Sequence, residues 1–170
     1  MEKLIVPTFN FLIINSTFAN KDTKLFPPLN FPLVKLRLRT EKNQTQVFDV
    51  IRKKYVLLTP EEWVRQHVIH FLIEEKQFPD GLMEVEKQIT LFNTNKRVDI
   101  LVRDKNLKPL LLVECKAAEV ELTQTEINQL ARYQITLQAP YCMLTNGMKH
   151  IIMKLENDTV VFLRKLPAYQ

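Results

Sequence analysis

Residues 34–39 alternate between apolar and basic side chains, and this pattern predicts the first strand of the chain. A polar turn follows at residues 41–46, and residues 46–50 predict the hairpin partner of that strand. One face is apolar and the other basic, as in a half-buried strand. The apolar face consists of Val34, Leu36 and Leu38.

A helix is predicted to begin at Pro60 and to run to about residue 76. Thr59 can serve as its N-cap, Pro60 suits the first helical position, and Glu62 would complete a capping box. The apolar residues of this segment recur at helical spacing and form one stripe. The stripe consists of Val64, Val68, Phe71 and Leu72. Glu61 lies in line with the stripe, whereas Glu62 lies about 100° away, so we expect Glu61 to face the rest of the protein.

Short apolar runs bounded by turn residues predict the remaining elements. The predicted strands are residues 83–92, 97–103, 110–117, 141–145, 150–155 and 159–166, and the predicted second helix is residues 121–138, capped by Thr123. The run at residues 110–113 is apolar throughout, which is typical of a central strand covered on both faces. This order predicts an α/β (α+β) fold with a central mixed β-sheet flanked by helices and an N-terminal β-hairpin.

The first residues of the chain show no such periodicity. We expect an N-terminal arm over residues 1–30 and a single domain over residues 31–170. No run approaches the roughly 20 apolar residues that cross a bilayer, and the run at residues 11–14 is too short for a signal peptide. Cys115 and Cys142 lie in apolar runs, as reduced buried cysteines do. We therefore expect a cytoplasmic protein without a membrane partner.

Composition narrows the classes of function. The chain of 170 residues has only two glycines, so it lacks the closely spaced glycines of nucleotide-binding loops, and we expect no nucleotide cofactor. The formal net charge is +5, and the excess lies in residues 1–60, which hold ten Lys and Arg against four Asp and Glu. A basic segment of this kind is suited to a polyanion such as nucleic acid.

Polar side chains at the ends of apolar strands are the main anomaly of the pattern. Asp99 lies within an apolar strand, and Glu114 and Lys116 follow the most apolar run of the chain. Residues two apart on a strand share a face, so Glu114 and Lys116 point the same way and Cys115 the other way. Buried carboxylates are costly unless they are paired or bind a metal. Either the set binds a divalent cation that prefers oxygen ligands, or Glu114 and Lys116 form a structural ion pair while Asp99 caps a turn.

Two helix features gain meaning beside these carboxylates. Glu61 either joins the site or compensates the helix dipole at the N-terminus of the first helix. Gln129 and Tyr133 are four residues apart on the second helix and therefore share a face. That face either turns to the site or forms a solvated surface.

The polar residues together resemble a known nuclease motif, that of the PD-(D/E)xK superfamily. The set consists of Asp99, Glu114, Cys115 and Lys116, with Glu61 on the preceding helix. The pair Gln129-x-x-x-Tyr133 is similar to the QxxxY motif of RecB-type nucleases in that superfamily. Longer stretches resemble small bacterial proteins related to the N-terminal nuclease domain of type I restriction enzyme R subunits. These stretches are residues 48–55, 58–66 and 113–116, and the resemblance covers about residues 30–150.

The resemblance implies a restriction-endonuclease-like core and Mg²⁺-dependent (or Mn²⁺-dependent) hydrolysis of DNA phosphodiester bonds. The implied metal ligands are Asp99, Glu114 and the backbone carbonyl of Cys115, with Glu61 binding directly or through water. Lys116 would orient the attacking water or stabilise the charge of the transition state. Gln129 and Tyr133 would position the nucleic-acid strand or the metal shell. The implied partners are DNA and either a second copy of the chain or other restriction or repair subunits.

The basic N-terminal third completes the expected site, since it would contact the phosphate backbone. The residues expected to do so are Lys35, Arg37, Arg39, Arg52, Lys53 and Lys54. Two departures from the family are visible: Val98 rather than proline precedes Asp99, and the chain lacks a helicase motor, so ATP-dependent translocation is not expected. The alternative function is a catalytically inactive nucleic-acid-binding or assembly module that retains the nuclease fold.

Overall fold

The structure, a computed structural model, describes residues 10–13, 26–91 and 94–169. The predicted N-terminal arm, residues 1–30, lies largely outside the described residues. Within it, strand β1 (Asn10–Ile13) pairs with the next strand of the chain, and Phe26 and Leu29 pack against the domain. The division of the chain at residue 30 stays a prediction.

The described residues form two α-helices and ten strands, together with a π-helical turn (Phe71–Glu75) and a short 3₁₀ turn (Asp80–Leu82). The helices are α1 (Pro60–His70) and α2 (Gln124–Leu137), and the strands after β1 are β2 (Lys35–Glu41), β3 (Gln44–Asp49), β4 (Lys54–Leu57), β5 (Met83–Leu91), β6 (Thr94–Arg103), β7 (Pro109–Cys115), β8 (Tyr141–Thr145), β9 (His150–Glu156) and β10 (Thr159–Leu163). Neither helix in this part of the chain is long and apolar enough to span a membrane. The architecture is α+β, as predicted.

The larger sheet has six strands in the order β10-β9-β8-β7-β6-β5. Neighbouring strands are antiparallel except β7 and β8, which run parallel because α2 crosses over between them. This confirms the predicted mixed sheet. The inner strand β7 is covered on both faces, and Leu111, Leu112 and Val113 are fully buried.

The smaller sheet has four strands in the order β1-β2-β3-β4. The strands β2 and β3 form the predicted hairpin, with Leu38 opposite Val47. The sequence pattern does not predict β4, because its four residues are too few to display an alternation. The strand follows a tight turn in which Lys53 has a φ of +53°, and it pairs with β3.

Three hydrophobic clusters define the layers of the molecule. One lies between α1 and one face of the larger sheet and includes Val68, and a second lies between α2 and the opposite face and includes Leu130. The third joins the smaller sheet to Trp63 of α1. Because α1 lies between two sheets, every residue from 62 to 69 is buried.

The helix α1 ends at His70 rather than near residue 76. The next residues, Phe71–Glu75, form a π-helical turn in which the Lys76 N–H donates to the Phe71 carbonyl at 3.1 Å. The wider turn places Leu72 in the core, where it is fully buried. A helical periodicity therefore continues in the sequence beyond the end of the α-helix itself.

A short strap, residues 26–31, crosses from the smaller sheet to the turn after β8. The Asn30 N–H donates to the Gly147 carbonyl at 2.7 Å, and the Asn30 side chain donates to the Met148 carbonyl at 2.6 Å. Gly147 has a φ of +83°, and a Cβ at this position would lie 2.7 Å from a δ-carbon of Leu29. Any other residue would adopt a strained positive φ here, and its Cβ would force the Leu29 side chain of the strap to move.

Candidate functional site

The carboxyl end of β7 directs adjacent side chains into two different layers. Val113 and Cys115 pack in the cluster against α1, whereas Glu114 lies on the face covered by α2. The Lys116 N–H donates to the Thr145 carbonyl at 2.8 Å, so the chain stays attached to β8 as β7 ends. The strict alternation of a strand therefore brings Glu114 and Lys116 to the α2 side, as the sequence pattern predicts.

Asp99 lies where the alternation of β6 breaks. Val98 and Leu101 pack on the α2 side, whereas Ile100 packs on the α1 side, although residues 98 and 100 of a regular strand would share a face. The opposite residue on β5, Glu86, has a φ of +54°. Ladder pairing with β7 begins only at Ile100, and the Asp99 carboxylate instead accepts a hydrogen bond from the Cys115 N–H at 2.7 Å. This irregularity turns Asp99 toward α1 and holds it at the end of β7.

Arg65 of α1 contacts three carboxylates with one guanidinium group. Its Nη2 donates to Asp99 Oδ1 and to Glu61 Oε1, both at 2.7 Å, and its Nη1 donates to Glu62 Oε2 at 2.5 Å. Arg65 is only 4% exposed. Burial alone would lower the pKa of Arg65, but the charges of Asp99 and Glu62 outweigh this effect and raise the pKa. The arginine therefore stays charged among its partners.

The two glutamates at the start of α1 differ in burial in the opposite order from that expected from the helical stripe. The Glu62 N–H donates to the Thr59 side chain at 3.1 Å, but the Glu62 carboxylate does not complete a capping box. Glu62 is 4% exposed and its carboxylate lies between Arg52 and Arg65, whereas the Glu61 side chain is 47% exposed. The helical stripe predicts one buried face, but α1 is covered by two sheets, so Glu62 is buried as well.

Arg52 belongs to the same ion-pair network and is not free to contact a phosphate. Its side chain is 12% exposed and donates to Asp49 at 2.7 Å, to Glu86 at 2.7 Å and to Glu62. Burial would raise the pKa of Asp49, but the hydrogen bonds from Arg52 and Gln66 lower it below its ordinary value. The structure thus gives Arg52 a structural position instead of the phosphate contact expected from its charge.

Lys116 lies between two glutamates at the mouth of the α2 face. Its Nζ is 3.3 Å from Glu114 Oε1 and 3.4 Å from Glu126 Oε1. Burial would lower the pKa of Lys116, but the two carboxylates raise it above its ordinary value. Glu126 also completes a capping box with Thr123 at the start of α2, so the N-terminus of this helix fixes one of the partners of Lys116.

Glu114 has the opposite electrostatic balance. Burial and the nearby charge of Asp99 raise the pKa of Glu114 to about 7, against the effect of Lys116, and Glu61 adds to the rise. The attraction between Lys116 and Glu114 favours the charged form of both groups. It determines the direction of the pKa shift only for Lys116, because burial and two nearby carboxylates outweigh it at Glu114. Burial is the largest cause of the rise in the pKa of Glu114, and the charges of Asp99 and Glu61 add to it, so the surroundings disfavour a negative charge on Glu114 in the absence of a cation.

Gln129 and Tyr133 lie on the same side of α2, and the Gln129 amide donates to the Tyr133 hydroxyl at 2.9 Å. Both residues line a small cleft of about 40 Å³ together with Glu114 and Lys116. The structure therefore brings four of the predicted site residues to one cleft. Asp99 and Glu61 lie beside it and affect Glu114 through their charges.

The exposed basic residues lie elsewhere, on the smaller sheet. Lys35 and Arg37 are exposed, and Arg39 is half-buried, with its guanidinium 4.1 Å from the centre of the Tyr55 ring. Their buried neighbours on β2 face α1, so these basic side chains form the outer face of the sheet. Since α1 lies between this sheet and the larger one, the basic face and the cleft occupy different layers.

Lys53 and Lys54 are exposed at the turn before and at the start of β4. Lys53 Nζ lies 3.9 Å from Asp80 Oδ2. Both lysines are accessible to a partner, which distinguishes them from the neighbouring Arg52.

The donor chemistry of the site fits Mg²⁺, which prefers carboxylate and carbonyl oxygens and usually keeps several waters. The observation behind this fit is the chemistry of the donor set, since the carboxylates of Glu114 and Asp99 are near enough for the charge of Asp99 to raise the pKa of Glu114. In residues 26–91 and 94–169, no group of three or more His, Cys, Asp and Glu side chains is arranged to hold a metal. Two carboxylates and one backbone carbonyl, on Asp99, Glu114 and Cys115, would instead hold the ion, and water would complete its shell.

Arg65 and Glu62 are the residues of this region that the motif does not predict. The sequence does hint at the role of Arg65, because this basic residue directly follows Val64 and lies close to the apolar stripe of α1. An arginine on a buried stripe requires carboxylate partners. Glu61 and Glu62, four and three residues before it, are the nearest candidates.

Comparisons with known proteins bear on the same part of the chain. Residues 60–167, more than half of the chain, match the protein family described as "Type I restriction enzyme R protein N terminus (HSDR_N)". Among solved structures, the chain resembles a fragment assigned as an HsdR subunit of a type I restriction enzyme from Vibrio vulnificus YJ016, with a TM-score of 0.51 and 18% identity. The match covers 65% of this chain and 24% of that chain, so this protein spans about a quarter of its length. No curated protein matches the sequence. At this identity the structural likeness shows a shared fold.

Proposed function

Because the chain belongs to the family of type I restriction enzyme R protein N termini, we propose that it is a Mg²⁺-dependent DNA endonuclease of the PD-(D/E)xK type, with Gln129 and Tyr133 as its QxxxY pair. The single observation that carries the proposal is the cleft in which Glu114, Lys116, Gln129 and Tyr133 meet. These residues come from one strand end and one helix face. An ordinary ion pair between Glu114 and Lys116 would not need the helix pair beside it.

The side chains divide the proposed chemistry between them. Mg²⁺ would lower the pKa of a bound water and offset the charge on the phosphoryl oxygens. Lys116 stays protonated because Glu114 and Glu126 raise its pKa, so it would donate hydrogen bonds to the attacking water or to a phosphoryl oxygen rather than act as a base. Gln129 and Tyr133, which already bond to each other, would hold the scissile strand against the cleft.

A nicking assay tests the proposal, with two glutamates that flank Lys116 as a matched pair. Supercoiled plasmid is incubated with the protein in Mg²⁺ or Mn²⁺. We expect nicking by the wild type, loss of nicking in Glu114→Gln and Lys116→Ala, and a smaller decrease in Glu126→Gln, which removes the charge of the other partner of Lys116 but no proposed metal ligand. Absence of nicking by the wild type, or equal nicking by Lys116→Ala, would overturn the proposal.

The outer face of the smaller sheet is proposed to bind the phosphate backbone away from the scissile bond. Reversing the charges of Arg37 and Arg39 should weaken DNA binding and lower the slope of log affinity against log salt by about two. The double variant Arg164→Glu/Lys165→Glu makes the same change of net charge at exposed positions near the C-terminal end of the described chain. If both double variants bind DNA equally, the outer face is not the contact surface.

A second candidate function is a non-catalytic DNA-binding or assembly module of a restriction or repair complex. The observation that favours it is the engagement of Asp99 by both Arg65 and the Cys115 N–H. Salt-sensitive DNA binding without cleavage in either metal would support this candidate.

Cleavage of both strands of a duplex would require two active sites. We therefore propose a second copy of the chain or another restriction subunit as a partner, and sedimentation of the protein on duplex DNA would reveal a second copy.

A further inference from the structure

The guanidinium of Arg65 has an unusual set of contacts for a buried arginine. Its two terminal nitrogens contact three carboxylates, on Asp99, Glu61 and Glu62. Its Nε is buried and has no hydrogen-bond partner among the described residues. Among the described residues, the three carboxylates therefore accept all the hydrogen bonds of this head group. Arg65 thus links Asp99, which also accepts from the Cys115 N–H, to the two glutamates of α1.

One nitrogen of this group joins the two carboxylates that flank the cleft. Nη2 is 2.7 Å from Asp99 Oδ1 and 2.7 Å from Glu61 Oε1, so the two oxygens lie within twice that distance of each other. Asp99 comes from the irregular point of β6 and Glu61 from the first turn of α1. Without a shared donor, two like charges from separate elements would repel each other.

We propose that Arg65 is a positioning residue that holds Asp99 and Glu61 in the arrangement required for the divalent cation. This inference rests on the proposed function, because it assigns the arginine a role toward the same metal. Arg65 and Arg52 together contact five carboxylates, so the two positive charges orient this set and still leave negative charge for a cation. Residues that orient metal ligands typically affect metal affinity by about 10–100-fold when they are replaced.

The geometry requires an arginine rather than any cation. Two different nitrogens of a rigid, planar group are used, one for Glu62 and one for Asp99 and Glu61. A lysine would retain the charge but offer a single nitrogen on a flexible chain. The substitution Arg65→Lys therefore removes the positioning while it keeps the charge next to the site.

Arg52 provides a matched control in the same network. Its side chain is also largely buried, it also contacts Glu62, and its remaining partners are Asp49 and Glu86. It does not contact Asp99 or Glu61. Arg52→Lys thus makes the same chemical change one contact farther from the cleft. It measures how much metal binding changes when the ion-pair network is weakened without a change at Asp99 or Glu61.

The test measures Mn²⁺ binding by electron paramagnetic resonance in the full chain, together with plasmid nicking as a function of Mn²⁺ concentration. We expect Arg65→Lys to raise the Mn²⁺ dissociation constant by about tenfold or more, and its nicking to approach the wild-type rate once Mn²⁺ exceeds the new constant. Arg52→Lys is expected to lower the stability of the fold but to leave the dissociation constant near that of the wild type. A merely structural role of Arg65 would lower stability without moving the metal constant.

Each outcome bears on one statement. If the wild type binds Mn²⁺ and Arg65→Lys binds it equally well, or if Arg52→Lys weakens binding as much, the positioning role is overturned while the proposed function stands. If the wild type neither binds Mn²⁺ nor nicks DNA, the proposed function fails and the inference fails with it. Should Arg65→Lys not fold, Glu62→Gln loosens the guanidinium from its anchor with little change of shape, and an unchanged metal constant in that variant would equally reject the role.

Discussion

His67 of α1 is expected to make the stability of the protein depend on pH in a range where most carboxylates are still ionised. The ring is 8% exposed and lies edge-on to Trp63, with ring centres 4.3 Å apart. Burial lowers the pKa of His67 to about 4, although its bond to the Trp63 carbonyl opposes this and His70 adds to it. The folded protein therefore keeps the imidazole neutral at pH values where the unfolded chain binds a proton.

The sign and size of the effect follow from proton linkage. Well above pH 6.5 both states are neutral at His67, and this contribution to stability is fully present. As the pH falls from 6.5 to about 4, only the unfolded state gains the proton, and the free energy of unfolding falls by about 1.4 kcal/mol for each pH unit. The total loss from this one residue is about 3 kcal/mol.

Urea denaturation at several pH values between 7 and 4 measures this loss. His67→Leu removes the titrating group and keeps an apolar side chain in its place, so the pH dependence should be smaller by about 3 kcal/mol than in the wild type. His70→Leu, on the same helix but with its ring bonded to the exposed Glu74 carboxylate, is the matched control and should retain most of the loss. Parallel stability profiles of His67→Leu and the wild type would refute the reasoning.

Three further substitutions test the packing that positions the site. Gly147→Ala should lower the free energy of unfolding by about 1–3 kcal/mol, because of its positive φ and the contact with the strap, whereas Gly81→Ala, whose Cβ would meet no atom within 4 Å, should change it by less than about 0.5 kcal/mol; equal effects in urea melts would contradict the strap. Thr123→Ala removes the N-cap of α2 and should cost about 1 kcal/mol, with Thr125→Ala on the exposed first turn as its control, and thermal melts that coincide would count against the cap. Leu112→Ala should cost about 2–5 kcal/mol in chemical denaturation, and a loss below about 1 kcal/mol would be inconsistent with a central position of β7.

Much of the fold is readable from the chain because its strands carry clear patterns. The alternation around Leu36 and the uniformly apolar run of β7 each predict the correct environment, half-buried in one case and covered on both faces in the other. The strand β4 escapes prediction because four residues do not display a period, and its pairing depends on the turn at Lys53. The end of α1 escapes because a π-helical turn keeps apolar residues at nearly helical spacing.

The cleft residues are predictable to the extent that they follow the period of one element. Glu114 and Lys116 share a face because they are two apart on a strand, and Gln129 and Tyr133 share a face because they are four apart on a helix. The orientation of Asp99 does not follow from a period, since β6 is irregular at that residue.

The network behind the cleft depends on tertiary structure. A helical stripe predicts one buried face, but two sheets bury both sides of α1, so Glu62, to which the sequence pattern assigns a capping role, is buried as well. The contact of Arg65 with Asp99 of β6 does not follow from helical spacing. The charge pattern has a similar limit at Arg52, which contributes to the basic N-terminal third in the sequence but is neutralised by three carboxylates in the fold. The net charge of a segment counts its basic residues, but only the folded structure shows which of those side chains can reach a partner.

The parallel pair of β7 and β8 has a consequence for the order in which the protein folds. All other neighbours in the two sheets are antiparallel, and within the larger sheet each antiparallel pair joins strands adjacent in the chain. Only the pairing of β7 with β8 requires the chain to close a long loop, the crossover of residues 116–140. This pairing therefore carries the largest loss of chain entropy within that sheet. Because Lys116 and α2 belong to this crossover, the cleft forms in the same step. We therefore expect the cleft to form in the slowest refolding phase, after the hairpins have formed.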